Sequence, residues 1–115
     1  MSRFFKSFKF AANGLVQVFK SELNFKIHLL VTVVVVAASW YFDISSIEWV
    51  AIAICVGMVL FAELMNTAIE ALVNLVSPEF NPKAGLIKDI AAAAVLILAL
   101  TSFVVGLISF VPKIF

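Results

Sequence analysis

The chain has 115 residues, 64% of them hydrophobic and 13% charged, whereas soluble domains run at about 45–50% and about 25%; a water-soluble globular domain is excluded, and an all-α integral membrane protein is expected. A formal net charge of +1 supplies no bulk field that would gather nucleic acid. Cys55 has no second thiol anywhere in the chain, so neither a disulfide framework nor a thiolate metal centre is available, and its apolar neighbourhood points to packing.

From Ser2 to Lys20 the apolar residues Phe5, Phe8, Ala12, Leu15, Val16 and Phe19 recur at helical spacing, opposite Arg3, Lys6, Lys9, Asn13, Gln17 and Lys20. This pattern predicts a basic amphipathic helix lying on the membrane surface, lysines at the headgroups and phenylalanines at the acyl boundary. A docked helix of a soluble partner is the alternative use of such a face. No compact apolar core with a small-residue cleavage site closely follows the first cations, so no removable signal peptide is expected.

The first span is expected over 22–42, with Ser21 as its cap and Glu22 and His28 near the interface. A lone histidine there is read as a hydrogen-bonded interfacial residue rather than a ligand. Trp40, Tyr41 and Trp49 bracket a connection carrying Asp43, Ser45, Ser46 and Glu48, an aromatic belt at one membrane face. The second span is expected over 48–76, stopped by Ser77-Pro78 and Asn81-Pro82. The third is expected over 88–111, opening at Lys88-Asp89, slimmed by Ala91-Ala92-Ala93-Ala94 for close helix contact, and ended by Pro112. Residues 1–115 thus form a single membrane-embedded domain: a surface helix over 1–20 and three transmembrane helices.

Arg3, Lys6, Lys9, Lys20, Lys26, Lys83 and Lys88 fall on one side of these spans, and Lys113 alone on the other. The bias of cations toward the cytoplasm puts the N-terminus inside and the C-terminus outside.

The second span carries the unusual stretch. After an uncharged run from Trp49 to Ala62 come Glu63, Asn66, Glu70 and Asn74, at roughly 0°, −60°, −20° and +20° around a helix, so all four share one narrow face. A carboxylate at this depth costs about 2.5–3.5 kcal/mol on insertion scales, so two of them demand a wet cleft, a cation or a protein partner. Glu22, Lys88 and Asp89 lie at the same depth on the neighbouring spans.

Oxygen donors of this kind suit Mg²⁺, which is commonly shared between one or two carboxylates and substrate phosphates. Lys88 suits a phosphate, and a remaining carboxylate can act as general base on a hydroxyl. The Gly-rich loops of nucleotide-binding folds and His/Cys metal clusters are missing. These residues alone equally allow a small cation channel, in which Glu63 and Glu70 ring a pore, or a structural membrane subunit whose stripe only joins helices.

Three segments together, Glu22-x-Asn24-Phe25-Lys26-x-His28, Glu63-x-x-Asn66-Thr67-Ala68-Ile69-Glu70, and Lys88-Asp89 followed by the alanines, resemble the small bacterial integral-membrane lipid kinases that include diacylglycerol kinase and undecaprenol kinase. The resemblance covers nearly the whole chain. It implies a homotrimer that transfers the γ-phosphoryl group of ATP to a lipid alcohol, with Mg²⁺ accompanying the nucleotide. By the same resemblance Glu63 is the catalytic base, Glu22 and Glu70 hold metal, and Asn66 positions reacting groups. Arg3, Glu22, Glu70, Asn74, Lys88 and Asp89 are then the nucleotide-binding residues. Asn74 departs from the family, which often has aspartate there; its amide can still hydrogen-bond. Diacylglycerol is the expected acceptor, giving phosphatidic acid, and undecaprenol the rival, toward which the motif around Glu22 and His28 leans.

Overall fold

The computed structural model describes residues 2–115 and is all-helical: α1 (Arg3–Ser21), α2 (Leu23–Tyr41), α3 (Ser46–Val76) and α4 (Pro82–Ile114). The expected surface helix therefore begins within the described residues, Met1 lying outside them. α2, α3 and α4 are each long and apolar enough to cross a bilayer, and α1 has no buried residue. On the exposed surface of α1, Phe4 and Phe8 meet edge to face with centroids 5.0 Å apart.

One residue separates α1 from α2. Glu22 has extended backbone (φ −113°, ψ 112°), closes α1 with its N–H on the carbonyl of Val18, and stands at the cap position of α2 without a side-chain cap bond. Ser21, expected to cap α2, is instead the last residue of α1. The carboxylate of Glu22 is consequently not spent on its own backbone. Across the break, Lys26 Nζ lies 5.6 Å from the ring centroid of Phe19, a cation–π contact that ties the two helices, and Phe25 is buried at 2% exposure.

The α2–α3 connection is short. Asp43 takes a positive φ of 51°, a conformation that aspartate tolerates better than most residues, and Ile44 plugs the turn at 4% exposure. Ser45 and Glu48 then form a reciprocal capping box: the serine hydroxyl accepts from the Glu48 N–H, and the Glu48 carboxylate accepts from the Ser45 N–H. This is the S-x-x-E start signal, so α3 begins at Ser46, two residues before the expected 48. Glu48 also receives Lys113 Nζ at 3.0 Å, fastening the end of α4 to the start of α3.

α4 starts at Pro82, earlier than the expected 88, because Asn81 caps it by accepting from the Lys83 N–H and Pro82 occupies the first turn, where its missing donor is harmless. It also runs through Pro112 to Ile114. Pro112 removes one donor and crowds the carbonyl four residues before it, yet the next turn still closes with Phe115 N–H on Val111 O.

α3 is the hub. It packs along α4, less extensively on α2, and touches α1. Ile52, Val59, Ala62 and Val73 are its buried apolar residues, with Ala91 and Val95 buried on α4. The chain is a thin layer, 52 × 44 × 21 Å, in which α2 and α4 flank α3 and leave a groove of about 500 Å³ between them.

The capping box and the Lys113 pair meet in one carboxylate, so two variants separate them. Ser45→Ala should lower stability by about 1 kcal/mol, the usual worth of an N-cap, while Glu48→Ala, which removes the ion pair as well, should lower it further. Unfolding in detergent mixed with increasing SDS measures both.

Candidate functional site

At 1.5 Å per residue, Glu63 lies about 26 Å along α3 from its start, close to the roughly 30 Å thickness of a bilayer's hydrocarbon core. The polar stripe therefore occupies the second half of a helix too long for the hydrocarbon alone, and from Glu63 to Asn74 it extends about 16 Å. Its members are not equally wet. Glu63 is buried at 4% exposure, Asn66 and Glu70 are half-buried, and Asn74 is exposed.

Three pairs make up the site. His28 on α2 brings Nε2 to 3.0 Å from Glu63 Oε1. One turn further on, Asn66 Nδ2 donates to Glu70 Oε1 at 3.3 Å. At the exposed end, Lys88 Nζ donates to Asn74 Oδ1, linking α4 to the stripe beside a small cleft of about 190 Å³ that both residues line beneath the α3–α4 turn. The stripe read from the sequence is thus a physical face, contacted from α2 at one end and α4 at the other.

A carboxylate removed from water is costly unless it is paired, and the imidazole of His28, 3.0 Å away, is the partner that the fold gives Glu63. Sequence reasoning treated His28 as an interfacial residue with an unspecified partner; the structure makes the partner Glu63. Helical periodicity shows which residues share a face, but not which side chain on another helix will oppose them. The signal available was the common depth of His28 and Glu63 on antiparallel neighbours.

Asn66 Oδ1 is buried without a hydrogen-bond partner. Buried polar atoms are nearly always satisfied, so this oxygen, on the amide whose nitrogen donates to Glu70, is free to accept or ligate a group from outside the chain. Among the described residues no three His, Cys, Asp or Glu side chains gather as a metal group, but Mg²⁺ asks for only one or two protein carboxylates when phosphates and water supply the rest. The oxygen donors present fit that ion.

Arg3, Glu22 and Asp89 are not drawn into the three pairs: among the described residues none of their side chains makes a hydrogen bond or ion pair with the stripe. Glu22 stands half-buried at the α1–α2 break and Asp89 is exposed on α4 beside Lys88. Arg3 is exposed at the start of α1, its carbonyl accepting from the Ser7 hydroxyl.

The site thus combines a buried carboxylate–imidazole pair, an amide–carboxylate pair with a free oxygen, and a lysine. The groove beside it is lined by His28 and otherwise mostly by apolar side chains of α2, α3 and α4. Comparison with known proteins gives this arrangement a lineage. The profile described as Prokaryotic diacylglycerol kinase matches residues 9–110. An undecaprenol kinase of Bacillus subtilis is 38% identical over 113 residues, covering 98% of this chain and 92% of the relative. A diacylglycerol kinase of Synechocystis is 35% identical over 87% of this chain and 58% of its own length, and one of Escherichia coli is 29% identical over 84% and 79%. With the profile running from α1 to the last turns of α4 and so taking in all three pairs, this chain belongs to the prokaryotic diacylglycerol kinase family.

Proposed function

We propose that this membrane lipid kinase transfers the γ-phosphoryl group of MgATP to the terminal hydroxyl of a polyprenol of the undecaprenol type. The observation that carries the acceptor is the 38% identity to the Bacillus subtilis undecaprenol kinase across 98% of this chain. It moves the preference away from diacylglycerol, which the sequence alone slightly favoured. Diacylglycerol is the second reading, supported by the relatives of that name.

In the reaction as proposed, Glu63 is the catalytic base. Its carboxylate takes the proton of the acceptor hydroxyl, the acceptor oxygen forms a bond to the γ-phosphorus, and the bond from that phosphorus to the bridging oxygen breaks to release ADP. Phosphoryl transfer asks chiefly for alignment and charge neutralisation, which a small helical scaffold can provide. Glu22, Glu70 and the free oxygen of Asn66 would hold Mg²⁺, which when bound neutralises phosphate charge. Asn66 also positions the reacting groups. Lys88 contacts phosphate, with Asp89, Asn74 and Arg3 completing the nucleotide side.

The thin layer, with its large exposed apolar area, supports assembly as a homotrimer in which a neighbouring protomer brings in the residues that stand apart within one chain, Glu22 foremost. The basic face of α1 lies on the cytoplasmic leaflet of the inner membrane. ATP arrives from the cytosol and the acceptor laterally from the bilayer, and both meet at the depth of Glu63.

Purified protein in mixed micelles with labelled ATP should phosphorylate undecaprenol faster than diacylglycerol. The reverse order would replace the acceptor, and transfer to neither would remove the kinase reading in favour of a cation pathway or a structural subunit. Cation flux through liposomes without ATP, lost in Glu63→Gln, would favour the pathway.

Glu63→Gln should lower kcat by about 10²- to 10⁴-fold, the usual worth of a general base, with the oligomer intact on size exclusion. Glu70→Gln should instead raise the KM for MgATP. Full rescue of the first variant, and not the second, by added Mg²⁺ and ATP would exchange their roles.

A further inference from the structure

His28 is a titratable group to which the reaction above gives no task, yet it stands at the most deeply buried acid of the stripe. Its Nε2 is 3.0 Å from Glu63 Oε1, and Glu63 is 4% exposed while the histidine side chain retains 23% exposure. The contact uses one carboxylate oxygen only. Oε2 has no hydrogen bond to any described residue, which leaves it available to an incoming hydroxyl. The other polar contact of Glu63 is through its backbone, whose carbonyl accepts from the Thr67 hydroxyl at 2.9 Å and leaves the carboxylate unconstrained.

His28 also lines the groove of about 500 Å³ between α2, α3 and α4, together with Thr32, Ile52, Val59, Ser102 and Phe103. Glu63 is not among the groove's lining residues. The imidazole therefore stands between the buried acid and the apolar groove.

We infer that His28 is the positioning residue of Glu63: from the 3.0 Å separation seen here, Nε2 as a donor closes on Oε1 when the acceptor is bound, holds the carboxylate in one rotamer, and directs Oε2 at the acceptor hydroxyl. This rests on the reading of Glu63 as the base. A glutamate has three side-chain torsions, and a hydrogen bond to one oxygen fixes the position of the other. Misplacing a reacting group by about 1 Å can cost about 10²-fold in rate, so the device acts on kcat rather than on nucleotide binding.

The experiment compares His28→Leu, His28→Gln and His28→Asn with Glu63→Gln in the purified full-length protein, measuring kcat and the KM for MgATP and for the acceptor in mixed micelles. Loss of a hydrogen bond to a charged group predicts that His28→Leu lowers kcat by about ten- to a hundredfold with the KM for MgATP unchanged. A glutamine amide can stand where Nε2 stood, whereas an asparagine amide reaches only the Nδ1 position, so His28→Gln should recover most of the lost rate and His28→Asn should not. That comparison decides the matter even if the leucine variant fails to assemble. Wild-type kcat in His28→Leu, equal rates in the Gln and Asn variants, or a change confined to the KM for MgATP would each overturn the inference. An active Glu63→Gln would instead sink the reading of Glu63 as the base, whereas an inactive Glu63→Gln beside unaffected His28 variants would sink the role of His28 alone.

Discussion

A carboxylate that has left water must be given something in return, and in this chain that obligation sets the geometry. Glu63 is buried at the end of a long uncharged run of α3, and His28 is the group that meets it. The pairing fixes the antiparallel register of α2 against α3 at one end of the layer. At the other end the same register brings Trp40 against Trp49, centroids 6.1 Å apart and edge to face. Slipping either helix by a residue would swing His28 about 100° away from the acid, so the polar contact specifies an alignment that apolar packing alone leaves loose.

The rest of the layer follows from α3 being the shared wall. It holds α4 along much of its length, with the Glu48–Lys113 pair closing one end and the Asn74–Lys88 contact the other. α2 is held more lightly, by the histidine, by Phe25 and by the turn around Ile44. Between lipid-facing helices there is no hydrophobic drive toward association, so these few polar fastenings carry more of the specificity than similar contacts on a soluble protein. The groove between α2 and α4 is the counterpart of that economy: two helices that flank a third leave a recess over it.

Much of this was legible before any coordinates. The four-helix plan follows from hydropathy and from the alternating charge on the first segment, and the stripe from Glu63 to Asn74 follows from a period of 3.6 residues. What a one-dimensional pattern omits is the identity of the partner across a helix pair. Hence Lys88 was readable as a phosphate-seeking charge but not as the donor to Asn74, and His28 as interfacial but not as the group on Glu63. Helix ends were misplaced where one signal has two meanings. Asn81-Pro82, read only as a stop, caps and opens α4, the S-x-x-E run at Ser45 sat inside what looked like an aromatic-belt loop, and the helix runs on past Pro112. Glu22, Asp89 and Arg3 make no hydrogen bond or ion pair with the stripe among the described residues, and they lie off the one helix whose period reveals it.

The break at Glu22 has a mechanical consequence. Two 19-residue helices meet there with no linker, so the φ and ψ of a single residue are the principal soft joints between α1 and the span that follows it. Any tilt or roll of the first against the second must be absorbed by those angles, and the side chain that swings with them belongs to an acid. The chain has in effect hung one of its carboxylates on the hinge pin.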